Sequence, residues 1–406
     1  MTDLQSTITC PECCHQSTST MPTDACVYIH ECSGCGHVLK PKPGDCCVFC
    51  SYGNVPCPPV QAEVRDKSPE NVSKAHSLRI EKGDEHQQAP LKEALATPES
   101  VFANRREFLA SMGLGISGLA AAVVLLGQDE PSTIPAEIDP SADLYPVPCN
   151  AAFTLDRALT AESVNAKWNN FYEFGSHKEI SGAAQALKVR PWMVTFDGLV
   201  EKPFEIGIDD LLAKMKLEER LYRHRCVEAW SMTIPWSGFP MKDLVALAKP
   251  LSSAKYVRME TFNNPAVAPG QKQTWNPWPY VEGLTIEEAT NELAFIATGA
   301  YGKPMAKQHG APLRLAVPWK YGFKHIKSIT RFSFVADRPV SFWEKILPAE
   351  YGFWANINPE VPHPRWSQAT ERVLGTETRV ATLPYNGYGE LVAHLYQNIK
   401  GERLYT

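Results

Sequence analysis

The chain has 406 residues, of which 44% are hydrophobic, and a formal net charge of −5. This is enough apolar material for one large domain with appendages. A mild acidity spread over that length offers no electrostatic footprint for nucleic acid, so no nucleic-acid partner is expected.

Residues 1–60 hold ten of the twelve cysteines, including Cys10-x2-Cys13, Cys32-x2-Cys35 and Cys47-x2-Cys50. The last two pairs bracket the turn-rich stretch "GHVLKPKPGDC". Two such pairs bring four thiolates to one tetrahedral ion, so a zinc-ribbon-like module is expected, with structural zinc on Cys32, Cys35, Cys47 and Cys50. An iron site of the same geometry and a redox dithiol are the alternatives. No C-x-x-C-H occurs, which excludes covalent c-type haem. The run "PGDCCVFCSYGNVPCPP" resembles a group of small cysteine-rich bacterial proteins of undefined function, a likeness that brings no activity with it.

Residues 61–100 contain no aromatic residue and no cysteine but six Lys/Arg and eight Asp/Glu, and are expected as a solvated linker. With no apolar stretch to dock with, the linker leaves the cysteine-rich module independent of the C-terminal domain. In residues 101–128, Arg105 and Arg106 precede an apolar run from Phe108 to Leu126. A transmembrane helix is one reading. The order Asn104-Arg105-Arg106-Glu107-Phe108-Leu109 resembles instead the twin-arginine signal, which carries folded proteins across the bacterial inner membrane. Export to the periplasm by the twin-arginine machinery is therefore expected, with the N-terminal module left in the cytoplasm if the signal is removed. Only Cys149 and Cys226 lie beyond this segment, in keeping with an oxidising destination.

After a second linker, 129–150, residues 151–406 mix short strands and helices and hold all ten tryptophans. "WMVTFDGLV" (192–200), "PLRLAVPW" (312–319) and "SITRFSFVA" (328–336) read as strands. "IDDLLAKM" (208–215) and "MKDLVALAK" (241–249) have helical spacing, with acids near their starts and lysines near their ends. Neither G-x-G-x-x-G nor G-x-x-x-x-G-K-[ST] is present, which disfavours dinucleotide and phosphate-loop folds. The expected class is α+β with mixed sheets.

Cys226 stands within "YRHRCVEAWSM". A lone buried thiol is usually core filling. In an extended segment, however, Arg223 and Arg225 point away from the face shared by His224 and Cys226. Clustered positive charge is expected to lower the thiol pKa, for metal binding or for nucleophilic attack. Glu228 is read either as a proton carrier near the site or as a structural partner of Arg223 or Arg225.

From Asn169 to Arg365, "NNFYEFG", "RHRCVEAWSMTIPWSGFP", "APLRLAVPWKYGFKHIKSI" and "FWEKILPAEYGFWANINPEVPHPRW" occur in order. Together they resemble the molybdenum catalytic subunit of the periplasmic protein-methionine-sulfoxide reductases, a branch of the sulfite oxidase superfamily. The resemblance implies a sulfite-oxidase-type molybdopterin-binding fold. Cys226 would be the thiolate on a molybdenum held by one molybdopterin, which suits a soft sulfur ligand. Pterin-holding positions fall on Asn169, Tyr172, Glu173, Thr261, His309, Arg314, His325, Ile326 and Lys327. His309 stands where Asn is also found in the family, and His325 where Gly or Ser is, which leaves their side-chain roles open. Arg314 and Lys327 suit the pterin phosphate. The implied reaction removes oxygen from methionine sulfoxide in oxidised proteins, using two electrons and two protons. No haem or flavin motif is visible, so electrons are expected from a haem-containing inner-membrane subunit fed by quinol.

Two rival readings remain. A sulfite dehydrogenase of the same superfamily would add an immunoglobulin-like domain of about 100 residues, whereas 70 residues lie beyond Ala336. A metal-binding or metal-sensing protein would act through residues 1–60.

Overall fold

The computed structural model describes residues 3–22, 27–42, 45–58, 60–61, 139–155 and 157–406. The twin-arginine segment and all but the first residue of the charged linker lie outside the described residues. Among the described residues no helix is long and apolar enough to cross a membrane.

The N-terminal module includes two small antiparallel hairpins and a short helix. Strands β1 (Gln5–Thr9) and β2 (Gln16–Thr20) pair, as do β3 (His30–Glu31) and β4 (Val38–Leu39), and the helix runs over Val48–Tyr52. Each hairpin carries a C-x2-C pair in its turn. The two turns are closed alike, Cys10 N donating to His15 O and Cys32 N to His37 O, both at 2.9 Å. Apart from cysteines, the buried apolar residues here are Ile8, Met21, Leu39, Val48 and Phe49. A core this small calls for a covalent or metal staple.

The larger part is built on two mixed sheets. One has five strands in the order β10-β9-β14-β5-β6, formed by β5 (Met193–Gly198), β6 (Phe204–Gly207), β9 (Tyr256–Thr261), β10 (Val281–Thr285) and β14 (Ile329–Val335). Only its β14–β5 pairing is parallel. In the other, β7 (Glu218–Cys226), β8 (Trp230–Pro240), β11 (Phe295–Ala300), β12 (Lys303–Pro304), β13 (Arg314–Ala316), β15 (Thr370–Val373) and β16 (Arg379–Ala381) are joined. The α+β class with mixed sheets is as expected from the sequence, and the strands expected over 192–200, 312–319 and 328–336 are present.

Strand β8 is central in its sheet and buried at every position, Ser231, Thr233 and Ser237 included. The helix Met241–Ala248 comes directly after it and buries Met241, Leu244, Val245 and Ala248, one stripe at helical spacing. It ends where Lys249 takes a left-handed conformation at φ 50°. The helix Ile208–Lys214 carries Asp209 and Asp210 in its first turn and Lys214 in its last, complementing its dipole.

The described residues of the cysteine-rich module and those from 141 onward belong to one compact unit. This departs from the independence expected of the module. Arg365 Nη1 donates to Cys46 O at 2.7 Å, and its guanidinium lies 5.1 Å from the Tyr28 ring centre. The docking uses a hydrogen bond and a cation–π contact, for which no apolar stretch in the linker is required.

Candidate functional site

The β7–β8 hairpin is the centre of the site. Register pairs Cys226 with Trp230 across a turn in which Ala229 N bonds Cys226 O at 3.0 Å. Ala229 holds φ 63°, a left-handed conformation uncommon for a residue with a Cβ. This tight reversal ends β7 at Cys226. Alternation along β7 then sends His224 and Cys226 into one cavity and the two arginines away from it. Arg225, fully buried, pairs with Glu371 at 2.9 Å and with Gln368 at 2.7 Å, while Arg223 Nη1 reaches Asn386 O at 3.1 Å.

The arginines are therefore structural, and the expected lowering of the Cys226 pKa does not occur. Burial, reinforced by the neighbouring Glu228 charge, outweighs Lys178 and Arg225 and pushes the thiol up to about 12. A thiol in this position is inert as a nucleophile at neutral pH. A bound metal cation, which deprotonates a coordinating thiol outright, reverses that.

Glu228 pairs with neither Arg223 nor Arg225. Its Oε2 accepts from Lys178 Nζ at 2.6 Å, Trp230 Nε1 at 2.8 Å and Asn170 Nδ2 at 3.4 Å. Burial acts to raise its pKa, but Lys178 and these hydrogen bonds prevail and hold it below the usual carboxylate value. The carboxylate is thus ionised beside Cys226, whose Sγ is 3.6 Å from Asn170 Nδ2. Lys178 and Asn170 escape sequence inspection because nothing in "NNFYEFGSHKE" marks either as facing residues about 50 positions later.

Nearly all the positions assigned to the pterin come together here. Asn169, Tyr172, Glu173, His309, Arg314, His325, Ile326 and Lys327 line the same cavity as Cys226 and Glu228. Thr261 stands one layer behind, its Oγ1 donating to Lys327 O at 2.8 Å, so it positions the lysine rather than facing the cavity. Gly310, at φ 100°, lies so close to Lys327 that an added Cβ would sit 2.5 Å from the lysine Cβ. A larger residue there would push the His309 loop off the Lys327 backbone.

The chemistry of this lining suits an anionic, hydrogen-bonding ligand. Burial lowers the pKa of Lys327 to about 7, with the Arg314 charge adding to the effect, and lowers that of Arg314 to about 9. A guanidinium does not lose its proton in practice, so its depressed pKa expresses a buried cation in want of an anion. Arg314 Nε, His224 Nδ1 and His325 Nδ1 are buried with no hydrogen-bond partner. His224 and His325 are held neutral by burial and by the neighbouring cations. Unpartnered buried polar atoms of this kind are costly unless a ligand satisfies them. Cys226 at one end and the Arg314–Lys327 pair among the lining residues match a molybdenum ligand and a phosphate anchor, so the residues fit molybdopterin.

The cysteines of the N-terminal module form two sets rather than one. Cys10, Cys13, Cys32 and Cys35 make the first, and Cys46, Cys47, Cys50 and Cys57 the second, with the sulfurs of each set all within 4.8 Å of one another. The expected zinc set of Cys32, Cys35, Cys47 and Cys50 is split between them. The β1–β2 turn supplies the partner pair for Cys32 and Cys35. Cys46 and Cys57, which belong to no C-x2-C pair, complete the set around Cys47 and Cys50.

Comparison with known proteins agrees with the larger site. Residues 181–343 match the family model described as the oxidoreductase molybdopterin binding domain. The sulfane dehydrogenase SoxCD of Paracoccus pantotrophus is a solved structure with 20% sequence identity and a TM-score of 0.33, over 39% of this chain and 41% of its own. At that level of likeness no activity is transferred. The match over residues 181–343, which include Cys226, Arg314 and Lys327, and the fit of the lining to molybdopterin describe a molybdopterin-binding oxidoreductase domain.

Proposed function

We propose that the protein reduces methionine sulfoxide in oxidised proteins of the periplasm, taking electrons from a haem-containing inner-membrane subunit and the quinol pool. Its export would use the twin-arginine route, after the cofactor is inserted in the cytoplasm. The reading rests on the family likeness of the motifs between Asn169 and Arg365, and one feature of the site favours it over sulfite oxidation. The carboxylate facing Cys226 is ionised, and its neighbour Lys178 is already engaged by it. Among the described lining residues the Arg and Lys side chains are those of Arg314 and Lys327, both assigned to the cofactor phosphate. An anion such as sulfite would approach a like charge with no cation spared for it. A neutral sulfoxide meets no such penalty.

Bound molybdenum would supply the two-electron, oxygen-atom chemistry. The protein's part is to orient it and to manage protons. Cys226 would hold the metal at the β7–β8 turn, and Arg314 and Lys327 would hold the phosphate. Glu228, ionised at rest in its hydrogen-bonded cradle of Lys178, Trp230 and Asn170 beside Cys226, would pass protons during turnover. Trp168, Trp230, Trp343 and Tyr351 give the cavity walls on which an apolar thioether packs.

The deciding experiment assays the loaded full chain in both directions, with a low-potential dye and methionine sulfoxide, and with an oxidising dye and sulfite. Sulfoxide-dependent dye oxidation is the expected result. Activity confined to sulfite would replace this reading by the dehydrogenase.

A further inference from the structure

The second cysteine set is tied to the wall of the catalytic cavity. Its Sγ–Sγ distances are 3.1 Å for Cys46–Cys57, 3.3 Å for Cys46–Cys50, 3.4 Å for Cys50–Cys57 and 3.7 Å for Cys47–Cys50. Four thiolates on a single tetrahedral zinc ion, with zinc–sulfur bonds of about 2.3 Å, stand about 3.8 Å apart. The set is thus sized for one ion, and too tight for a polynuclear cluster. Cys47 and Cys57 are buried, and the module has little else to hold it together.

Cys46 faces two ways. Its thiol belongs to the set, and its carbonyl accepts from Arg365 Nη1 at 2.7 Å. The same guanidinium donates through Nη2 to Glu350 at 2.7 Å and lies 4.9 Å from the Trp366 ring centre. His363, 3.4 Å from Glu350, stacks on Trp366 with ring centres 3.9 Å apart. Trp366 Nε1 then donates to Val227 O at 2.7 Å. Val227 lines the large cavity and is the next residue after Cys226. A continuous set of contacts therefore runs from the second cysteine set to the residue next to the molybdenum ligand.

We propose that Cys46, Cys47, Cys50 and Cys57 bind a metal ion of their own, a thiophilic divalent cation of zinc's size, and that this ion clasps the N-terminal module through Cys46 O and Arg365 onto the wall of the catalytic cavity. With the ion bound, Cys46 and Cys47 are fixed at their sulfurs, so the Cys46 carbonyl is held where Arg365 meets it. Without the ion, the loop before the Val48–Tyr52 helix loses its staple, and Arg365 loses a charge-assisted acceptor. The first set, Cys10, Cys13, Cys32 and Cys35, holds a separate ion in the turns of the two hairpins. The clasp stands whichever sulfur compound the enzyme reduces.

The test uses the full chain. Elemental analysis is expected to find two zinc equivalents per chain, with Cys57→Ser and Cys13→Ser each losing a different one. Hydrogen exchange of the backbone amides over residues 363–368 is expected to speed about tenfold or more in Cys57→Ser, the loss of a hydrogen bond to a charged group, and to stay unchanged in Cys13→Ser. One zinc equivalent in the parent chain, a disulfide between Cys46 and Cys57 in place of a metal, or unchanged exchange in Cys57→Ser would overturn the proposal. Should the variants fail to fold, cadmium-substituted parent protein keeps it open to refutation. Two cadmium resonances in the all-thiolate region are expected, and a single one would overturn it.

Discussion

Lys178 Nζ lies 2.6 Å from Glu228 Oε2 inside the cavity wall, and the pair joins two segments that share no secondary structure. Lys178 is buried and Glu228 half-buried, so removing the lysine leaves a partly desolvated carboxylate without its cation. Lys178→Met is expected to cost about 1–3 kcal/mol of stability, read from denaturant unfolding. Glu228 has a depressed folded pKa, so its contribution is fully present above the ordinary carboxylate value and is lost as pH falls through the lower folded value. Lys178→Met is expected to abolish this acid-side dependence. If the variant is as stable as the parent, the pair is not what holds these segments together.

Glu228→Gln keeps the shape and removes the proton carrier. The fold and molybdenum content are expected to persist, with sulfoxide turnover falling about 10²-fold or more. The pH–rate profile should also lose the limb that Glu228 contributes. An unchanged profile would return Glu228 to a structural role.

Cys226 offers a contrast between empty and loaded protein. With its thiol pushed up to about 12, it should resist alkylation at pH 8 when no cofactor is bound. Cys226→Ser is expected to fold, to lose sulfoxide reduction and to lack the thiolate-to-metal absorption of the loaded parent. Near-normal activity in this variant would remove Cys226 from the site.

Lys327 gives a pH signature. Its folded pKa of about 7 lies below its ordinary value, so between pH 7 and about 8.5 the unfolded chain binds more protons than the folded one. Stability of the cofactor-free protein should therefore rise with pH across that window, by about 1–2 kcal/mol. Above it, the raised Cys226 pKa acts in the opposite direction. Lys327→Met should flatten the rise, and thermal unfolding at fixed ionic strength would measure it. The same variant should retain cofactor about 10–100-fold less tightly, one charge-assisted contact being lost.

The export proposal is checked by Arg105→Lys together with Arg106→Lys. Folded, molybdenum-loaded protein should then accumulate in the cytoplasm, since the proposal has the pair read by the transport machinery. Periplasmic recovery equal to the parent would argue for another route.

Local pattern was enough to place many elements. Alternation marked β5 and β14, dipole-matched charges marked the helices over 208–214 and 241–248, and the two faces of β7 came from period two alone. Cys226 stood out by its charged neighbours, while the other positions came from the resemblance of the motifs between Asn169 and Arg365, and all of them but Thr261 line the cavity.

Tertiary structure decided what those residues experience. A pKa depends on burial and on charges brought near by other segments, so the arginines flanking Cys226 suggested a lowered thiol pKa. The fold instead turns them onto Glu371 and Asn386 and sets Glu228 beside the sulfur. Lys178 could be found as the partner of Glu228 only once its loop was folded against the β7–β8 hairpin. The N-terminal cysteines behave in the same way. Spacing identifies C-x2-C pairs as half-sites, but which halves meet depends on hairpin packing, and packing joined Cys32 and Cys35 to Cys10 and Cys13. Chain order alone determined the chemistry on offer, and long-range contacts determined its partners, because electrostatics and coordination act through space and not along the backbone.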